Sequence, residues 1–277
     1  MNTIPVFFSG MMVADAKSYS PSSSKPELVV RSWEELGIPL KLIWPKAMSP
    51  KDLYAVHDPR YVDGVLNSSI ANGFGNTLRE VAHSLPYTSG AMYDAACEAI
   101  RNDRVAVAPV SGFHHAGYYG GGGFCTFNGL VATAIKIDRK VGILDCDQHY
   151  GNGTDDIIEQ LKLQDRVKHY SAGKAFRHAT EADEFLKLIP QLMERFSHCA
   201  VILYQAGADP HVDDPLGGWL TTKQLAMRDK IVFETAKAMG VPIVWNLAGG
   251  YQKDIRKVLN IHDNTMKACW EVFKDKK

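Results

Sequence analysis

A three-layer α/β fold, with a largely parallel sheet between two layers of helices, is what this chain predicts. Short β-type runs alternate with longer helical stretches along its whole length, the pattern of strands joined by helical crossovers. Several runs, Val141-Gly142-Ile143-Leu144 and Val201-Ile202-Leu203-Tyr204 among them, are continuously apolar, as strands covered on both faces must be. Polar, chemistry-capable residues also gather directly behind the runs, at 111–115, 145–149, 171, 207–209 and 248–251. All strands of a parallel sheet end on one side, so these five clusters are expected to converge there.

In chain order the expected strands are residues 4–8, 39–43, 105–110, 141–145, 167–170, 200–205 and 242–247. Each is short and reads as a β-type run. The expected helices between them are 27–36, 58–66, 89–101, 129–137, 154–161, 181–196, 221–239 and 253–273. The serine-rich stretch 18–24 reads as a loop rather than a hinge. No repeat, low-complexity tract or linker interrupts the pattern. Residues 1–277 are therefore expected to form one domain, a length that a single α/β core accommodates.

With 45% hydrophobic residues, 22% charged residues and a formal net charge of zero, the chain has the make-up of a globular protein with ample core. Balanced charge and a pI of about 7.1 argue against direct nucleic-acid binding and against an anionic membrane surface. No apolar run approaches the roughly 20 residues that span a bilayer. The first residues lack the basic-then-apolar order of a secretory leader. Cys97, Cys125, Cys146, Cys199 and Cys269 are odd in number and form no CxxC pair. They read as reduced thiols, and the expected location is cytoplasmic.

The most informative segment is Asp145-Cys146-Asp147-Gln148-His149, with Gly151-Asn152-Gly153-Thr154 behind it. Residues two apart in a strand share a face, so Asp145, Asp147 and His149 are expected together near the strand's carboxyl end. Two carboxylates and an imidazole there make an edge for a divalent metal. Asp209, four residues past Gln205, is the best third partner for Asp147 and His149. An aspartate in such a place is ordinarily a turn or helix-capping residue; the company of two other ligand types turns the reading towards metal. Two oxygens and one nitrogen leave positions for water and substrate, the catalytic rather than the structural arrangement.

His114-His115 follows the run 105–110 on a loop. A lone histidine is more often structural, but an adjacent pair beside a metal edge suits acid and base work near neutral pH. Each ring needs a partner to set its tautomer, and Asp145 and Asn152 flank the metal strand as candidates. Aspartate raises the basicity of its histidine more than asparagine does, so the pair is expected to divide into unequal protonation states. The four glycines Gly120 to Gly123 fit neither GxxxxGK[ST] nor GxGxxG. An open loop lining a pocket is the expectation, with Phe124 as an aromatic wall or as plain core. Gly249-Gly250-Tyr251 follows the run 242–247 and sets a phenol where it can donate to a developing oxyanion. A tyrosine capping a sheet edge is the ordinary alternative.

Taken together, these motifs resemble the histone deacetylase family. His114-His115-Ala116, six residues and then Gly123-Phe124-Cys125 are similar to its HHA(x6)GFC element. Asp145 to Thr154 is similar to DxDxHxGNGT, Gln205 to Asp209 with Asp213 to Gly218 to QxGxD(x4)DPLGG, and Gly249-Gly250-Tyr251 to GGY. The resemblance implies the arginase/deacetylase fold and a metal-dependent hydrolase that removes acetyl or other short acyl groups from lysine side chains or similar amines. It implies zinc on Asp147, His149 and Asp209, with ferrous iron as the alternative in the cell. It pairs His114 with Asp145 and His115 with Asn152, and assigns His115 as general base, with His114 assisting electrostatically or in proton delivery. Tyr251 becomes the oxyanion donor. Phe124 and Leu216 line the substrate tunnel, with Gly123 and Gly249 among the substrate-binding residues. A structural potassium is implied on Asp145, Asp147, His149, Ser171 and Ala172.

Three departures carry expectations of their own. Asn152 stands where some members have aspartate. In Lys25-Pro26-Glu27-Leu28, leucine stands where the family often has arginine, which weighs against a family-like internal channel for acetate release. The chain leaves little room for long rim loops, which favours a compact, bacterial-type enzyme. The rival enzymatic reading is an acetylpolyamine or other small-molecule amidohydrolase using the same site. A silent binding protein is a third reading, and retention of His114, His115, Asp147, His149, Asp209 and Tyr251 together argues against it.

Overall fold

Strands form at β1 (Ile4–Phe7), β2 (Leu40–Ile43), β3 (Val105–Val107), β4 (Val141–Asp145), β5 (Val167–Ser171), β6 (Val201–Gln205) and β7 (Ile243–Asn246). In the computed structural model, which describes residues 1–275, they make one sheet in the order β2-β1-β3-β7-β6-β4-β5. Every neighbouring pair is parallel. The expected domain runs to residue 277; residues 276 and 277 lie outside the described part.

The helices are α1 (Lys25–Glu34), α2 (Pro50–Tyr54), α3 (Pro59–Leu66), α4 (Arg79–Asn102), α5 (Gly129–Ile137), α6 (Asn152–Gln160), α7 (Ala172–Ala175), α8 (Ala182–Met193), α9 (Thr222–Met239) and α10 (Ile255–Phe273). Strand alternation sends successive side chains into two separate apolar layers. Val105 and Val107, Ile202 and Tyr204, and Ile243 and Trp245 pack with α1, α8, α9 and α10. Ala106, Val201, Leu203 and Val244 pack with α2 to α6 on the other face. Each fully buried Leu, Ile, Val or Phe in these layers contributes about 1.5–3 kcal/mol relative to exposure.

Helix ends follow local chemistry. Thr221 and Gln224 form a reciprocal capping box that starts α9, and Gly240 closes it in the left-handed conformation at φ 64°. Asn128 caps α5 by accepting the Val131 N–H at 3.1 Å. The helix expected over 89–101 begins ten residues earlier, at Arg79, and carries Pro86 inside it. Proline ordinarily halts a helix, which is why the sequence points to a later start. Here the Pro86 carbonyl accepts the Met48 N–H at 2.8 Å, so a crossing segment packs onto the helix at that turn. α2 and α7, five and four residues long, are too short to carry a periodic signal.

All five cysteines are free. Among the described residues no helix is long and apolar enough to cross a membrane.

Candidate active site

The clusters behind β3, β4, β6 and β7 meet because these four strands are consecutive in the sheet. A hydrogen-bonded polar row closes their carboxyl ends. Ser171, Asp145, Gln205 and Asn246 stand level on β5, β4, β6 and β7. Ser171 Oγ donates to Asp145 Oδ2 at 3.4 Å, Gln205 Nε2 to Asp145 Oδ1 at 3.3 Å and Asn246 Nδ2 to Gln205 Oε1 at 3.0 Å. Each of these residues is buried, and the row pairs their side-chain polar atoms in place of water, with Asn246 Oδ1 alone left over.

Strand alternation does not carry Asp145, Asp147 and His149 on one face. β4 ends at Asp145, and Asp147 to His149 leave the sheet as successive bends. The turn is held by its own carboxylates: Asp145 Oδ1 accepts the Asp147 N–H at 3.1 Å, and Asp147 Oδ1 the His149 N–H at 2.9 Å. Asp145 thereby stays under the site while Asp147 and His149 turn over it.

Asp147, His149 and Asp209 each present a ligand atom within 4.8 Å of the others. His149 Nδ1 lies 3.2 Å from Asp147 Oδ1 and 3.1 Å from Asp209 Oδ2. Its Nε2 lies 3.2 Å from the Leu216 carbonyl, so an Nε2–H donated there leaves Nδ1 free as the ligand. Burial and the Asp147 charge push the Asp209 carboxyl up to about 7. Hydrogen bonds to Asp147 and Asp209 push the His149 imidazole up to about 11. Protons drawn to both groups mark where positive charge is wanted, and a divalent ion would displace them. The donor set fits such an ion.

Loops from β3 bring the histidines alongside. His114 Nδ1 lies 2.8 Å from Asp145 Oδ2, and His115 Nδ1 lies 2.6 Å from Asn152 Oδ1, on the first residue of α6. The two rings are 4.1 Å apart, and His115 is 5.9 Å from the His149 ring. Burial works against charge on His114, but Asp145 and Asp147 outweigh it and raise the imidazole to about 9. Burial, reinforced by the charge on His114, lowers His115 below its usual 6.5. The basicities of the adjacent rings are thus shifted in opposite directions.

Tyr251 packs 5.5 Å from the Phe124 ring, and its N–H donates to Asp214 Oδ2 at 2.8 Å. Burial and then the carboxylates of Asp147 and Asp209 hold its phenol well above the usual 10, so it stays a donor. Phe124 also meets Phe74 at 5.8 Å and the exposed Tyr19 at 5.4 Å. Gly123 lies against His115, where a Cβ would sit 2.6 Å from the ring. Gly249 lies against two carboxylates of this triad: its N–H donates to Asp147 Oδ2 at 2.8 Å, and a Cβ would overlap Asp209. Phe113, Phe124 and Ala248 are left-handed at φ 93°, 64° and 49°, a conformation non-glycine residues hold only where their surroundings enforce it. Ser171 Oγ accepts the Gly151 N–H at 3.0 Å. Ala172 opens α7, and its neighbour Gly173 is so close to the Gln148 and His149 carbonyls that a Cβ would sit 2.5 Å from them.

Several contributors carry no motif. Lys25 is fully buried and its Nζ donates to the carbonyls of Ala248 and Gly249, at 2.8 and 3.2 Å. Burial pulls it down to about 8, against the opposing pull of Asp209, Asp147 and Asp214. Leu28, one turn later, packs against the apolar core. His57 is held neutral by burial, its pKa lowered to about 4; Nδ1 donates to the Gly117 carbonyl at 2.8 Å and Nε2 accepts the Asn128 N–H at 2.9 Å. This braces the loop behind the histidine pair. Gln205 and Asn246 did offer a signal, being polar last residues of apolar strands. Behind Phe124 and Cys125 a cavity of about 30 Å³ is faced by Ser22, Ser84, Ser89 and Ser111, room for about two waters.

The histone deacetylase domain family matches residues 22–172 and 163–267 of the chain. An uncharacterized protein of Picosynechococcus sp. is 23% identical over 95% of this chain and 90% of its own length. Histone deacetylase 2 of Arabidopsis thaliana is 26% identical over 79% of this chain, which spans 65% of that relative. Among solved structures, the HD domain of HDA15 superposes with a TM-score of 0.78 at 20% identity, covering 96% of this chain and 90% of that one. An acetylpolyamine aminohydrolase from Burkholderia pseudomallei superposes with a TM-score of 0.77 at 15% identity, covering 98% and 99%. Both structures share the fold.

Proposed function

Because the chain belongs to the histone deacetylase family, and so to the deacetylase hydrolases, we propose that it is a single-domain, zinc-dependent amidase removing acetyl or other short acyl groups from lysine side chains. The observation that carries this reading is the convergence of Asp147, His149 and Asp209 ligand atoms within 4.8 Å, beside a histidine pair of unequal basicity. Asp147, His149 and Asp209 would hold the zinc, which would supply a Lewis acid for the amide carbonyl and lower the pKa of a bound water towards neutrality.

The protein's own groups do the rest. His115, its imidazole lowered by burial and by the charge on His114, takes the water proton at Nε2, while Asn152 holds the ring through Nδ1. His114, kept charged by Asp145, places a positive group beside the oxygen as negative charge develops. Tyr251 donates its phenolic hydrogen to that oxyanion. As the C–N bond breaks, the histidine pair returns a proton to the departing amine, and acetate and free amine result. Phe124 and Leu216 wall the aliphatic chain. The same reading assigns a second, structural cation, potassium, to Asp145, Asp147, His149, Ser171 and Ala172, where Ser171 Oγ lies 3.4 Å from Asp145 Oδ2.

The test is metal analysis combined with a panel of acetyl-lysine peptides, longer acyl-lysine peptides and acetylpolyamines, on wild type and His115→Ala. About one catalytic metal per chain and chelator-sensitive hydrolysis of the lysine peptides are expected. Full activity in metal-free protein overturns the mechanism, and turnover confined to acetylpolyamines overturns the substrate class.

A further inference from the structure

Arg228 of α9 is fully buried, and no part of the reaction described above uses it. Its Nη1 donates to two carbonyls at once, Cys146 at 3.0 Å and Gly207 at 2.8 Å. Cys146 directly precedes Asp147, and Gly207 lies two residues before Asp209. One nitrogen therefore ties together the two backbone segments that carry the metal carboxylates. The segments are already close, since a Cβ on Gly207 would sit 2.7 Å from Asp209 Oδ1 and 2.8 Å from Asp147 Cα.

The guanidinium is itself held. Nε donates to Asp229 Oδ1 at 2.9 Å. Asp229 also accepts the Tyr204 hydroxyl from β6 and the Thr265 hydroxyl from α10, at 2.5 and 2.6 Å. A planar fork fixed on one edge by a carboxylate leaves the other edge at a set position. A lysine has the charge but not the fork. Removing the donor would leave two buried carbonyls unpaired and facing each other, and the strand exits would part.

We propose that Arg228 is a positioning residue that sets the separation of Asp147 and Asp209, and through it the affinity of the site for its metal. The proposal rests on the metal reading above. Groups that orient metal ligands typically govern affinity by about 10- to 100-fold.

The experiment measures zinc affinity by competition with a chromogenic chelator, alongside melting temperature without metal. The variants are Arg228→Lys, the charge-balanced double variant Arg228→Met with Asp229→Asn, and Phe196→Leu. Phe196 is buried against Gly142 near the start of β4, the end of the strand opposite the site, so its variant reports loss of stability alone. Arg228→Lys is expected to weaken zinc binding about 10- to 100-fold, with Phe196→Leu binding as wild type although it melts earlier. Should Arg228→Lys not fold, the double variant leaves no unpaired buried charge and gives the same reading. Wild-type zinc affinity in whichever Arg228 variant folds overturns the proposal, as does an equal loss in Phe196→Leu. Wild-type protein that binds no zinc overturns the metal reading instead, so the two failures are distinct.

Discussion

Replacing Asn152 by aspartate should move the acid limb of catalysis without disturbing the fold. Asn152 Oδ1 is 2.6 Å from His115 Nδ1, so the substitution sets a carboxylate against the ring proposed as base. Charge centres about 4 Å apart at an effective dielectric near 20 interact by about 4 kcal/mol, equivalent to about 3 pKa units. Opposite charges at this range shift pKa values by roughly 1–3 units, and the partly solvent-facing ring belongs at the lower end. The sign is fixed by the chemistry. A carboxylate favours imidazolium, so the free base appears only at higher pH. Wild-type His115 is lowered below 6.5, by burial first and then by the charge on His114, which puts its acid limb below that pH. In Asn152→Asp the limb of kcat/KM should rise by about 1–2 units, with the alkaline plateau retained. The assay is kcat/KM against pH for zinc-loaded enzyme and an acetyl-lysine peptide. Position 152 is the first residue of α6, where a negative side chain suits the helix dipole, so melting temperature should hold. An acid limb that stays in place would refute His115 as the base held by residue 152.

Tyr251→Phe should lower kcat by about 10²- to 10³-fold while leaving zinc content and KM near wild type; undiminished turnover would remove the phenol from its role. Gly249→Ala forces a methyl group into the Asp209 carboxylate. It should cost about 1–3 kcal/mol of stability by overpacking and weaken zinc in a chelator titration, and wild-type affinity would contradict the packing. Dialysis against a chelator should abolish hydrolysis, and about one equivalent of zinc should restore it. At free zinc near 100 times Kd, the metal should also raise stability by about 2.7 kcal/mol, readable as a higher melting temperature; equal melting with and without zinc would mean the ion does not bind the folded state.

The sheet was legible because its central strands are apolar on both faces, which leaves no other element type for runs such as 141–144 and 201–204. The site residues were legible where they lie just past those runs, as Asp147, His149, Asp209 and Tyr251 do. Strand periodicity failed beyond Asp145 because the chain leaves the sheet there, and only the turn's own hydrogen bonds decide where Asp147 points. Lys25 and Arg228 were illegible for a different reason. Their partners are main-chain carbonyls 223 and 82 positions away, and a carbonyl has no residue type to read. Pro86 hid the first ten residues of α4 because proline's local preference is overridden there by tertiary packing, with Val81 and Leu85 buried in the apolar layer.

The position of β7 has a consequence for how the protein is made. It is the last strand in the chain, yet it lies between β3 and β6 in the middle of the sheet. On the ribosome, the sets β2-β1-β3 and β6-β4-β5 can each pair, but no strand bridges them until residue 246 has emerged. The Gly249 N–H that caps the Asp147 carboxylate lies 102 residues after it, about 5–20 seconds of synthesis at roughly 5–20 residues per second. For that interval the nascent chain carries Asp147 and His149 without the strand that completes their cradle. A chain released before β7 would bear Asp147, His149 and Asp209 but lack the Gly249 N–H that holds the Asp147 carboxylate, so the cradle is completed only in the last step of assembly.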